Sequence, residues 1–345
     1  MKKNLLYSLI VALMLVTNAS LFSQDIHFSQ YNETPQLINP AATGLYNGYV
    51  RAIINYKNQW MAMGKAYNTA AASLDMPLFD KRPNKACLGF GFNFFSDKAG
   101  DSKFGLTQLN LCLSAILPLT RTSKLSFGLS GGGAQHKASL ESLSWGNQYN
   151  GTTFDTQNIP SNEVAPINSF MYADLGAGIN YEYFSGKEAM DRNEQKRLSI
   201  GFACYHLNRP TQTYFTISEK LNPKFVGSMN GNFDITGTKF SVLPTLACFF
   251  QGRSREYNVG CAIQFRIHNG TKVTGFNSES GIAIGVNYRF KDAYIPTVAY
   301  HIGNVAIGFA YDYSMSDYAQ ANKHFGSLEI FLKYNIIKGA AWDKL

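Results

Sequence analysis

Most of this chain alternates with period two, apolar residues on one parity and small or polar residues on the other. Leu109, Leu111, Leu113 and Ala115 interleave with Gln108, Asn110, Cys112 and Ser114. Tyr257, Val259, Cys261, Ile263 and Phe265 interleave with Asn258, Gly260, Ala262, Gln264 and Arg266. Runs near residues 86–94, 171–182, 282–290, 305–313 and 327–336 repeat the pattern. Each run is about ten residues long with aromatics near its ends, which matches the span and interfacial girdles of a tilted strand crossing a bilayer. A strand half-exposed to water would carry charge on its outer face. Here the polar parity is mainly Gly, Ala, Ser and Asn, and these apolar sets hold no Lys or Arg. A Lys or Arg facing lipid at mid-bilayer would cost about 2–4 kcal/mol. Strands in hydrocarbon must close on themselves, because a free edge leaves backbone groups unsatisfied. The expected fold is an all-β, transmembrane, antiparallel up-and-down β-barrel of about 14 strands, following a cleaved signal peptide. Its inward sets hold the charged residues Asp174, Glu182, Arg266, Arg289, Asp312, Glu329 and Lys333.

Composition supports this reading. Charged residues make up 16% of the 345 and aromatics 14%, against about 25% charge in soluble domains. Mean hydropathy is slightly negative, which argues against a bundle of membrane helices. The net charge of +8 is spread along the chain, with no Lys/Arg cluster pointing to nucleic acid. The five Cys (87, 112, 204, 248, 261) form no CxxC or Cys/His pattern. They read as small apolar strand residues, not a disulfide scaffold or a metal site.

The first 24 residues read as an export signal. Lys2 and Lys3 precede an apolar run over 5–16, and small or polar residues follow. The run is shorter than the roughly 20 residues of a spanning helix, and cleavage is expected between Asn18 and Gln24. Residues 25–48, with Pro35, Pro40, Gly44 and Gly48, form an N-terminal extension expected to enter the lumen as a plug or to lie across the barrel mouth. The barrel is assigned to residues 49–345. Its candidate strands run over 49–60, 67–77, 86–96, 104–117, 124–138, 169–183, 197–207, 223–235, 238–250, 256–268, 280–290, 293–302, 303–313 and 326–337. With both termini on the periplasmic side, the long connectors 139–168, 208–222 and 314–325 fall outside. The long segments 184–196 and 269–279 fit less well, since they fall inside.

Three segments resemble one family. Phe28-Ser29-Gln30-Tyr31 with Asn39-Pro40-Ala41-Ala42-Thr43-Gly44 resembles the mature N-terminus of the PorP/SprF outer-membrane proteins of the Bacteroidota type IX secretion and gliding system. Asn55-Tyr56-Lys57-Asn58-Gln59-Trp60 resembles its first-strand motif, with Lys57 where Arg is usual. Tyr311-Asp312-Tyr313-Ser314 with Gly326-Ser327-Leu328-Glu329-Ile330 resembles its last hairpin, with Leu328 where His is usual. The resemblance implies an integral outer-membrane barrel with no enzymatic activity and no cofactor. It also implies as partners the secretion machinery and the C-terminal domain of an exported protein, typically a large surface adhesin that such a barrel helps export or retain.

The residues themselves carry little catalytic signal. The six His (27, 136, 206, 268, 301, 324) form no HExxH motif and sit beside no G-x-S-x-G elbow. His136 beside Ser139, or His206 on an outward face, is the nearest approach to a barrel lipase. Gly131-Gly132-Gly133 lacks the Lys-Ser/Thr of a phosphate loop. The alternative function is a general diffusion porin. Family-motif or partner-facing candidates are Asn39, Pro40, Asn58, Gln59, Trp60, Trp145, Tyr149, Asp312, Tyr318 and Glu329. Trp60 at a strand end suits an interface anchor. Trp145, Tyr149, Phe154 and Tyr318 place aromatics among polar residues in the external connectors 139–168 and 314–325, a mixture suited to protein contact.

Overall fold

The computed structural model describes residues 25–46, 48–59, 67–78, 86–100, 102, 104–138, 143–154, 169–185, 195–214, 217–268, 280–316, 319 and 323–336. The described residues form sixteen strands: β1 (Val50–Gln59), β2 (Tyr67–Pro77), β3 (Cys87–Ala99), β4 (Phe104–Pro118), β5 (Ser123–Lys137), β6 (Phe170–Ser185), β7 (Lys196–Tyr205), β8 (Thr211–Tyr214), β9 (Ile217–Lys220), β10 (Lys224–Asp234), β11 (Phe240–Gln251), β12 (Ser254–His268), β13 (Ser280–Arg289), β14 (Ala293–Ile302), β15 (Val305–Ser314) and β16 (Phe325–Ile336). Fourteen of them close into one antiparallel barrel. Its seam runs from Val50 opposite Ile336 to Gln59 opposite Ser327. Strands β8 and β9 pair only with each other, and β7 pairs past them with β10. This small hairpin lies in the 208–222 connector and has too little alternation to be read from sequence.

The barrel confirms the alternation reading. Leu109, Leu111, Leu113, Leu129, Ile284 and Leu332 face out, while Asn110, Ser130, Asn287 and Glu329 face in. Among the described residues no helix is long and apolar enough to cross a membrane, and no disulfide joins any of the five Cys. The tight connection between β14 and β15 is a turn at Gly303-Asn304, with Gly303 at φ 55°. Residues 186–194, residues 269–279 and residues 1–24, read from sequence as an export signal, lie outside the described residues.

We call the end where β1 begins and β16 finishes the near end, and its opposite the far end. Residues 25–46 run inside the barrel from far to near. Asp25 meets Gln251 and His206 at the far ends of β11 and β7. Tyr46 OH donates to the Asp75 carbonyl, close to the near end of β2. The segment makes a 3-10 turn at Tyr31–Glu33, one helical turn at Pro35–Ile38 and a second 3-10 turn at Pro40–Ala42. Two prolines at first-turn positions favour these short turns, since each lacks only an N–H that would be unpaired there.

One sequence reading is overturned. The sequence reading puts His206 on an outward face. His206 instead adopts φ 58°, which breaks the alternation and turns its ring into the lumen.

Candidate functional site

The site is the luminal segment and the wall that receives it. The wall has two parts. Toward the near end, glycines on the inner faces of β3, β5, β6 and β7 make room for plug backbone. A Cβ at Gly128 would strike Ala41, one at Gly178 or Gly201 would strike Asn39, and one at Gly89 would strike the Thr43 carbonyl. These contacts are closer than any side chain tolerates, so glycine is required by approach, not by backbone conformation. Around this cleft, short polar side chains satisfy the plug backbone, as buried polar groups require. Ser126 Oγ donates to the Ala41 carbonyl (2.7 Å) and Ser114 Oγ to that of Thr43 (2.6 Å). Tyr205 OH donates to the Gln36 carbonyl (2.9 Å). Asn39 caps the second 3-10 turn by accepting from Ala41 N (2.9 Å) and donates to the Ile179 carbonyl (2.9 Å). Asp75 takes the Gly44 N–H (2.7 Å) and pairs with Arg51 (2.8 Å).

Toward the far end the wall is ionic. Both oxygens of Glu329, a fully buried side chain, accept successive backbone N–H groups, from Ser29 (2.7 Å) and Gln30 (3.0 Å). Ser29 Oγ donates to Asp312 (2.8 Å), and Arg289 donates to Ser29 Oγ (2.9 Å) while pairing with Asp312 (3.3 Å). Lys57 donates to the His27 carbonyl (3.1 Å) and sits across the β1–β16 ladder from Glu329. Burial, with Lys57 and Arg289 close by, pushes the His27 imidazole well below its ordinary pKa. Its Nδ1 lies 3.4 Å from the Glu256 carboxylate. Lys333, on the same inward parity as Glu329, pairs with Glu33 of the plug (2.6 Å).

A latch holds the first described residues. The Asp25 carboxylate lies 2.6 Å from His206 Nε2 and 3.6 Å from Lys224, and Asp174 holds His206 Nδ1 at 2.8 Å. Burial opposes charge on both groups. Asp25 and Asp174 nevertheless raise His206 to about 9, and Lys224 and His206 hold Asp25 well below the usual carboxylate range. Beside the plug, a cavity of about 360 Å³ is left toward the near end. It is lined by Gln30, Asn232, Gln264, His301 and Lys333 among others.

A family model described as type IX secretion system membrane protein PorP/SprF matches residues 20–334. The chain belongs to this family. No curated protein matches it. Among solved structures, a Pseudomonas aeruginosa FadL homologue is 8% identical with TM-score 0.47, the match covering 92% of this chain and 96% of that one. The CymD monoaromatic hydrocarbon channel is 9% identical with TM-score 0.45, at 89% and 93% coverage. The β domain of the Bordetella autotransporter BrkA is 12% identical with TM-score 0.39, at 84% and 100% coverage.

The three segments that resemble PorP/SprF motifs, far apart in sequence, meet at one place. Ser29 and Gln30 from the first, Lys57 from the second, and Asp312 and Glu329 from the third form the ionic anchor. Asn39 and Pro40 sit in the glycine-lined cleft. Asn58 does not join them; it lies near the far end of β1 and donates to Asn68 (2.7 Å). Gln59 ends β1 opposite Ser327. Trp145 and Tyr149 flank a 3-10 turn at Gly146–Gln148 in the long far-end connector. There Tyr149 bridges to Phe154, their rings 5.2 Å apart. Trp60 and Tyr318 lie outside the described residues. Sequence reasoning missed Asp25, His27, Asp75 and Glu256 as plug contacts. Their signal, an acid or His at an inward strand position or in the N-terminal extension, was present without a partner to give it meaning. Among the described residues no group of three His, Cys, Asp or Glu could hold a metal.

Proposed function

We propose that this PorP/SprF protein is a non-enzymatic barrel of the outer membrane, exported by a cleaved signal peptide, with its far end at the cell surface. In this reading it serves the type IX secretion machinery by binding the C-terminal domain of one exported protein, a large adhesin, and holding it at the surface. The observation that supports the reading is the occupied lumen: a chain that fills its own barrel with residues 25–46 is built as a docking platform, not a conduit. The two longest connectors, between β5 and β6 and between β7 and β10, both leave the far end, as the longer external loops of such barrels do. The contact surface is then the far rim, where Trp145, Tyr149 and Phe154 of the 139–168 connector and the β8–β9 hairpin project.

Replacing the 139–168 connector with a short turn tests this. The adhesin should leave the cell surface and appear in the medium, while the barrel still assembles. An adhesin that stays attached places the contact elsewhere. The porin alternative is separated by gene deletion, which should slow uptake of small solutes if the barrel is a porin and leave uptake unchanged if it is a docking platform.

A further inference from the structure

We propose that the far-end rim of β11–β16 is a docking site for phosphorylated glycolipid of the outer leaflet, lipopolysaccharide, with Arg255, Lys291 and Lys323 on its phosphates. This rests on the orientation proposed above. On the outward face of this sector the aromatic rings touch one another. Phe250 packs on Tyr257 (5.7 Å), Tyr257 on Phe290 (6.3 Å), Tyr288 on Tyr294 (4.8 Å), and His324 stacks flat on Tyr313 (5.1 Å). Such a belt sets the level of lipid headgroups.

The cations stand at that level or just beyond it. Arg255 is opposite Phe250 across the β11–β12 ladder and shares the outward parity of Tyr257. Lys291 lies in the turn after Phe290, whose N–H bonds the Tyr257 carbonyl. Lys323 precedes His324, whose carbonyl takes the Ser314 N–H, and Met315 N bonds the Asp292 carbonyl. These bonds run laterally from β12 to β16, so the three side chains lie on one arc about 19 Å long, at ~4.8 Å per strand. All three are exposed. Little neutralises them. Among the described residues of these far-end turns the acid is Asp292, which is engaged by Arg289 at 2.8 Å, and Glu256 points inward to His27 and Arg289. An uncompensated cationic arc above an aromatic belt is complementary to a sheet of lipid phosphates.

The test uses the full-length protein in phosphatidylcholine nanodiscs, with purified lipopolysaccharide as probe and native mass spectrometry as readout. The triple variant Arg255→Ser, Lys291→Ser, Lys323→Ser should bind at least tenfold more weakly than wild type. Dephosphorylated lipopolysaccharide should bind wild type and variant alike. Equal binding of intact lipopolysaccharide by variant and wild type overturns the proposal. So does tight binding of the dephosphorylated probe, or equally tight binding of phosphatidylglycerol, which would mark a general anionic surface. Lys291→Cys labelling on intact cells with an impermeant maleimide checks the orientation separately, and an unreachable residue 291 also overturns the proposal. Adhesin retention is read independently, so loss of lipid binding and loss of the secretion role are distinguishable.

Discussion

At the scale of single residues, charge inside the lumen is spent on the plug. Glu329 is the clearest case, because its two fully buried oxygens hold two consecutive backbone N–H groups. Glu329→Ala would strand both donors, at a cost of roughly 3 kcal/mol. Hydrogen exchange should show the Ser29 and Gln30 amides losing protection in that variant; unchanged protection would mean another group carries the anchor. His206 makes a second prediction, one of pH. Its folded pKa, about 9, lies above the ordinary imidazole value of 6.5. The latch therefore contributes in full below about pH 6.5 and weakens as pH rises through 9, by on the order of 3 kcal/mol. Asp25 acts in the opposite sense, since its carboxyl is lowered: its contribution holds at neutral pH and fails only in acid. Protease access to the chain near residue 25 should rise between pH 7 and 10 in wild type. A His206→Asn variant should be open at every pH, and a pH profile it shares with wild type would remove His206 from the account.

At the scale of elements, the two halves of the plug are held by different physics. Residues 36–43 are held by shape, in a cleft where Gly128, Gly178 and Gly201 leave space only for backbone and Asn39. Residues 25–33 are held by charge, through Glu329, Asp312, Lys333 and the His206 latch. Gly128→Val should unseat the shape-held half while leaving the ladders of β5 intact, because Gly128 pairs with Ser114 and Gly178 through backbone alone. Limited proteolysis should then cut within residues 36–43 of a barrel that otherwise keeps its strands. Alternation exposed the strands themselves, and even the tight β14–β15 turn was legible from Gly303-Asn304. The β8–β9 hairpin was not, since four-residue strands beside Pro210 give period two no room to show.

At the scale of the whole molecule, the barrel depends on lipid outside and on its own N-terminus inside. Leu129 is 65% exposed on the outward wall, so Leu129→Lys should destabilise the protein by about 2–4 kcal/mol in bilayers. Urea titration of refolding into vesicles measures this, and a neutral outcome would contradict a lipid-facing wall. Reconstituted in planar bilayers, the wild-type protein should conduct poorly, and removing residues 25–34 should raise conductance severalfold. Porin-like currents from the intact chain would end the docking reading.

The sequence by itself determined the barrel. Period two, ten-residue spacing and the absence of charge on the apolar parity are local properties, and hydrocarbon permits one closed solution for such strands. It also marked the inward charges, because parity is readable one strand at a time. Only the tertiary structure decided what those charges do. Ser29 and Glu329 are 300 residues apart, and nothing in either neighbourhood indicates that a side chain on the last strand will grip the backbone of the N-terminal extension. The same holds for His206, where one left-handed backbone angle reversed the face that alternation assigned. Pairings that span the chain are set by how the barrel closes and where the plug comes to rest, and both are properties of the assembled cylinder.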